Sequence, residues 1–333
     1  EQGKNRYREI GFSQQTTFFK QAHPIRFLGD HMVRKIDLGG HDRSHISLSL
    51  VFLVLLGSTL FYVLNIQYNS PSLQDIHGNG GMESWLKSTF RLCSAYLAFH
   101  TVLFWMVFNP EPATMVVLFR KELEVREHDA IGIEKIGTFS SWTLIVFGSS
   151  MLLNGTLSLS VALGYEIPNS LLLIGASLFA AGFGAACITS VVVRHLIIPM
   201  KIRNGHELHH LFKPHEQVMH NLVLILFSLD LLYGGTWISW PSLSLTLILG
   251  SLYVAFAELS SRRDHGYYVY EFLDPRPKLS PFIFFGLMIA CIASLFFGYL
   301  ITTLKEERSL IASSLLLLFV ILSVRFNASV NEN

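Results

Sequence analysis

Ser170-Leu-Leu-Leu-Ile-Gly-Ala-Ser-Leu-Phe-Ala-Ala-Gly-Phe-Gly-Ala-Ala-Cys-Ile-Thr-Ser-Val-Val-Val193 runs 24 residues without a charge. As a helix it reaches about 36 Å, more than the roughly 30 Å of hydrocarbon in a bilayer. Between Gly175 and Ala186, nine of the twelve residues are Gly, Ala or Ser. Small side chains let helices approach closely where lipid offers no hydrophobic drive to pack them. The stretch therefore reads as a membrane-crossing helix near the centre of a bundle.

Seven more apolar runs flank it, giving 46–66, 89–108, 139–163, 170–198, 217–237, 241–259, 281–303 and 309–326. The expected fold is an all-α, polytopic transmembrane helix bundle of about eight spans. It divides into a polar N-terminal arm (1–45), a transmembrane helical domain (46–326) and a C-terminal tail (327–333). Composition agrees: of 333 residues, 51% are hydrophobic and 15% charged, at mean hydropathy +0.43, too apolar for a soluble surface to be covered. A net charge of +1 gives no field that would gather nucleic acid, so membrane lipids, and other membrane proteins in a complex, are the expected partners. Cys93, Cys187 and Cys291 lie in separate apolar runs and suggest no disulfide framework.

Eight crossings alternate the connections between two faces. One face takes 1–45, 109–138, 199–216, 260–280 and the C-terminus, and with them 21 of the 25 Lys and Arg, leaving Lys87, Arg91, Lys305 and Arg308 to the other. By the positive-inside rule the first face is cytoplasmic or its organellar equivalent, with both termini on it.

The densest chemistry lies on that face, in Asn204-Gly-His-Glu-Leu-His-His-Leu-Phe-Lys-Pro-His-Glu-Gln-Val-Met-His220. His206, Glu207 and His210 fit the H-E-x-x-H spacing of zinc proteases, and His206, His209 and His210 fit an HxxHH box of the di-iron desaturase type. A solvated interfacial loop that binds no metal satisfies the same residues. His220 differs, because it enters the apolar run that follows; at a membrane boundary an imidazole can stay neutral and act as a base. Asp230 also needs an explanation, since an ionised carboxylate inside a span costs roughly 2.5–3.5 kcal/mol and requires a partner, a proton or water.

Met219-His220 opening one span, Gly266-Tyr-Tyr-Val-Tyr-Glu-Phe-Leu-Asp274 after the next, and Ile283-Phe-Phe-Gly286 opening a third give a pattern over 217–303. It resembles the androgen-induced and androgen-dependent integral membrane proteins, atypical threonine hydrolases that cleave fatty acid esters of hydroxy fatty acids. Glu271 stands where that family usually has Pro, and His265 lies nearer the Gly than in the family. The resemblance implies a six-span core, here with one span added at each end, and a lipid ester hydrolase that needs no cofactor. It implies His220 as base and, as nucleophile, a Thr in a Thr-Phe pair at a span start. Two such pairs exist, Thr89-Phe90 and Thr138-Phe139. Thr89 enters from the face opposite His220, whereas Thr138 enters from the same one, so Thr138 is the candidate. A Thr in that position also serves as a helix N-cap. His265, Tyr270, Glu271 and Asp230 are candidate substrate-binding residues. A noncatalytic membrane subunit that keeps the fold within a larger complex is the competing reading.

Overall fold

The computed structural model describes residues 26–28, 31–40, 42–66, 73–203 and 208–327. Eight helical runs coincide with the eight apolar segments: α1 (Ser44–Asn65), α2 (Met82–Val107), α3 (Phe139–Ala162), α4 (Asn169–Arg203), α5 (214–233), α6 (Trp240–Ser261), α7 (Ser280–Glu307) and α8 (Ser309–Ser323). Six of them are long and apolar enough to cross a membrane, which makes this a multi-pass integral membrane protein. The other two fall short for different reasons. α5 opens on His215, Glu216, Gln217, His220 and Asn221, whose polarity shortens its apolar stretch, and α8 has 15 residues.

Contacts at the helix ends sort the connections onto two ends of the bundle. At one end Ser47 donates to Pro275 O (2.9 Å), Tyr253 to Gly137 O (2.9 Å) and Asn221 to Arg325 O (2.7 Å). At the other, Lys305 donates to Leu231 O (2.8 Å), Ile238 N to the Thr302 hydroxyl (3.4 Å) and Lys87 to Asp75 O (3.1 Å). Each of the eight helices runs between the two ends. Residues 31–40, 42–43 and 321–327 lie at the same one.

The fold is the expected all-α bundle of membrane helices, and a small antiparallel sheet covers that end of it. Its strands are β1 (Arg26–Leu28), β2 (His31–Lys35), β3 (Ala113–Phe119), β4 (Glu124–Ala130) and β5 (Tyr267–Tyr268), in the order β1-β2-β4-β3-β5. Arg34 faces Val125, Met115 faces His128 and Leu118 faces Tyr268, so the arm and two connections meet in one layer. β3 is locally encoded, since Thr114, Val116 and Val117 are β-branched, whereas β4 is polar except for Val125 and Ala130 and is a strand through its pairing with β3.

The quoted α4 stretch packs at the centre, against α3, α5, α6, α7 and α8. A Cβ at Gly182 would lie 2.5 Å from the Phe227 ring, and one at Gly184 2.1 Å from the Thr246 hydroxyl. Phe227 sits edge-on to Phe147 and Phe179, at 4.8 and 5.0 Å between ring centres, in a buried aromatic cluster that only glycine lets α5 bring so close.

Candidate functional site

At the sheet-covered end, Lys213-Pro214 starts α5, with Pro at the first helical position, where its missing N–H costs nothing. One turn later the helix widens into the π-turn that carries Met219, His220 and Asn221. The wide turn leaves the His220 carbonyl as an acceptor for the Ser190 hydroxyl on α4. His220 is buried, with its two ring nitrogens facing different polar neighbours. Its Nε2 lies 3.1 Å from Ser140 Oγ, and its Nδ1 lies 3.4 Å from a Glu216 carboxylate oxygen one turn earlier. The second distance is an electrostatic contact, too long for a good hydrogen bond. A proton held on Nδ1 toward Glu216 would leave the Nε2 lone pair facing the serine hydroxyl.

Ser140 is the second residue of α3, and the turn before α3 is rigidly closed. Lys135 donates to Asn109 O (2.7 Å) and Glu111 O (2.6 Å), and burial holds its ammonium below the usual lysine range. Thr138 is the N-cap: its Oγ1 accepts from Ser141 N at 3.1 Å and lies 2.6 Å from the Ser141 hydroxyl. Among the described residues no hydrogen bond joins Thr138 to His220. The imidazole instead meets the hydroxyl two residues further along, a residue that sequence reasoning passed over.

Tyr270 stands over Ser140. It stacks on Phe272 at 5.3 Å and meets Tyr253 edge-on at 6.4 Å, in the loop after β5. That loop is held by Arg120, which pairs with Glu258 of α6 (2.6 Å) and donates to the Tyr268 hydroxyl (2.7 Å). Burial pushes the Tyr270 phenol up to about 12, a rise that the Ser140 hydroxyl and the Phe139 amide beside it partly offset. It is a neutral hydrogen-bonding group at physiological pH. Below Ser140 and Tyr270 an apolar cavity of about 110 Å³ opens between α3, α4, α6 and α7. On the other side of His220 is a niche of about 10 Å³ bounded by Ser190, Gln217, Asn221 and Arg325, the space of one water.

The remaining candidates lie elsewhere. His265 is exposed in a turn, with a left-handed backbone (φ 56°). Glu271 points away from Ser140 and pairs with Arg34 of β2. Asp230 belongs to the far end of the bundle, ten residues along α5 from His220 and so about 15 Å away. There Arg91, fully buried, donates to Asp230 (2.8 Å), Ile76 O (2.9 Å), Ser158 (2.8 Å) and Gly234 O (2.9 Å), while Thr236 donates to the second carboxylate oxygen (2.9 Å). Asp230 is thus the partner of a buried guanidinium and is remote from the Ser140 cavity. His209 is exposed; His206 and the side chain of His210 lie outside the described residues, among which no metal-binding group of His, Cys, Asp or Glu occurs. All three cysteines are free.

Comparisons with protein-family models, with curated proteins and with solved structures found no match.

Proposed function

We propose that this protein is a membrane-embedded hydrolase of lipid esters, with Ser140 as nucleophile and His220 as base. The observation that carries the reading is the 3.1 Å approach of Ser140 Oγ to His220 Nε2, with Ser140 itself lining an apolar cavity. A hydroxyl is a poor nucleophile until a base takes its proton, and an apolar cavity beside it suits the chain of a lipid ester. His220 accepts the Ser140 proton as Oγ attacks the ester carbonyl, and Glu216 favours the imidazolium that results. The Tyr270 phenol is placed to donate to the developing oxyanion. Collapse expels the alcohol, which takes the proton back from His220. Water, activated by the same imidazole, then releases the acid and restores the serine. The sheet-covered end, where most Lys and Arg lie, faces the cytoplasm or its organellar equivalent in this reading.

The resemblance over 217–303 supports the same chemistry but assigns the nucleophile to Thr138, whose hydroxyl here caps α3. Labelling with a fluorophosphonate probe, which modifies activated hydroxyls, separates the two. Purified protein should label, and Ser140→Ala and His220→Gln should each lower labelling by about a hundredfold or more, while Thr138→Ala retains it. Labelling lost in Thr138→Ala and kept in Ser140→Ala would transfer the role to Thr138. No labelling of folded wild-type protein would favour a noncatalytic membrane subunit.

A further inference from the structure

The cavity beneath Ser140 has one polar end and one apolar end. Ser140 and Tyr270 stand at the top, whereas Ile188, Leu247, Leu287 and Cys291 line the depth. Thr189, also in the wall, turns its hydroxyl to Thr143 at 3.2 Å. From Phe284 to Cys291 the α7 wall descends about 10 Å, and from Ile197 to Ile188 the α4 wall descends about 14 Å. An extended alkyl chain advances about 1.25 Å per carbon, so the walls run the length of roughly eight to eleven carbons, while the enclosed volume of about 110 Å³, less than the roughly 150 Å³ that holds one benzene, takes about four of them and leaves the rest outside it. At the bottom, α6 presents Gly250, where an added Cβ would stand 3.4 Å from Cys291 Sγ, an ordinary contact without a clash. A side chain at 250 would therefore occupy cavity space instead of displacing the helix.

We propose that this cavity seats the acyl chain of the ester substrate, and that Gly250, facing Cys291 across the floor, determines how long a chain fits. The occupant is one hydrocarbon chain, because the site lies within the spans and its walls are mainly apolar: Thr189 turns its hydroxyl to Thr143, Ser251 lies beside Gly250, and Ser140 and Tyr270 stand at the end where the carbonyl would sit. The proposal rests on the ester-hydrolase reading for its link to turnover, but chain binding is measurable without turnover.

The binding test uses decanoic acid bearing a diazirine at its methyl end, photolysed with the detergent-solubilised full chain. Adducts should concentrate on 247–254 and 284–291 and fall at least fivefold in Gly250→Leu. Gly250→Ala, which adds one methyl group, should give a smaller loss, and Leu252→Ala, on the exposed face of α6, should match wild type. The turnover test compares p-nitrophenyl butyrate with p-nitrophenyl decanoate. Each seated methylene contributes about threefold to fourfold, so Gly250→Leu should cut the decanoate-to-butyrate ratio of kcat/KM at least tenfold with butyrate hydrolysis retained. Adducts spread evenly over lipid-facing helices, or unchanged in a folded Gly250→Leu protein, would overturn the chain site. Concentrated adducts with undiminished turnover in Ser140→Ala would leave the chain site standing and remove the assigned nucleophile.

Discussion

Two hydroxyls two residues apart divide the work at the start of α3. Thr138 Oγ1 accepts from the Ser141 amide, one of the four N–H groups that every helix start leaves without a partner, and Ser140 Oγ faces the imidazole. Thr138→Ala should therefore cost about 1 kcal/mol of stability, read as a lower melting temperature in detergent, with fluorophosphonate labelling retained. At the opposite end of the bundle, His77 is buried beside Ser158 (3.0 Å) and the Arg91 guanidinium, and desolvation with that positive charge depresses it to about 3. Its folded value lies below the unfolded one near 6.5, so the unfolded chain binds the extra proton between those values. Stability contributed by neutral His77 is complete above about pH 6.5 and declines as pH falls toward 3, by up to about 1.4 kcal/mol per unit. Melting curves between pH 7 and 4.5 should show this decline, and His77→Asn should flatten it.

Among the elements, α4 shows most directly how residue size controls packing. The Gly175–Ala186 stripe marks this helix as central from sequence alone, but which neighbour each glycine admits is a tertiary matter: Asn154 at Gly175, Phe227 at Gly182, Thr246 at Gly184. Gly184→Ala should destabilise by about 1–3 kcal/mol, since its Cβ would stand 2.1 Å from the Thr246 hydroxyl and 2.9 Å from Leu295. Thermal unfolding followed by accessibility of the buried Cys187 thiol would measure it. The sheet was less legible. β3 carries a local strand signal, but β5 has two residues and is a strand only because Leu118 and Phe119 lie alongside. Pairing between distant segments leaves little trace in a two-residue stretch.

For the whole molecule, the two ends have different chemistry. One holds the sheet, His220 and the Ser140 cavity; the other is closed by Arg91, which ties together the segments around Ile76, Ser158, Asp230 and Gly234. A buried ion pair of this kind is costly to break, because one partner is left charged without compensation. Arg91→Ala should cost about 3–5 kcal/mol, whereas Arg91→Met combined with Asp230→Leu should recover much of it, measured by thermal unfolding. Single cysteines at the exposed positions Glu122 and Glu307, in a background with Cys93, Cys187 and Cys291 replaced, should react with impermeant maleimide from opposite sides of sealed vesicles. Labelling of both from one side would break the alternation of the eight helices.

Sequence alone determined what depends on local composition and on bilayer thickness: the eight apolar segments, the central place of the small-residue helix, the position of His220 at a span start, and the need of Asp230 for a partner. Those properties are carried by consecutive residues and are legible without neighbours. Tertiary structure decided which hydroxyl His220 meets, that Arg91 answers Asp230, that His265 and Glu271 face away from the cavity, and that Gly250 and Cys291 share its floor. Each of these is a contact between helices far apart in the chain. A rotation of about 100° per residue decides whether Thr138 or Ser140 faces the imidazole, and only packing sets that rotation.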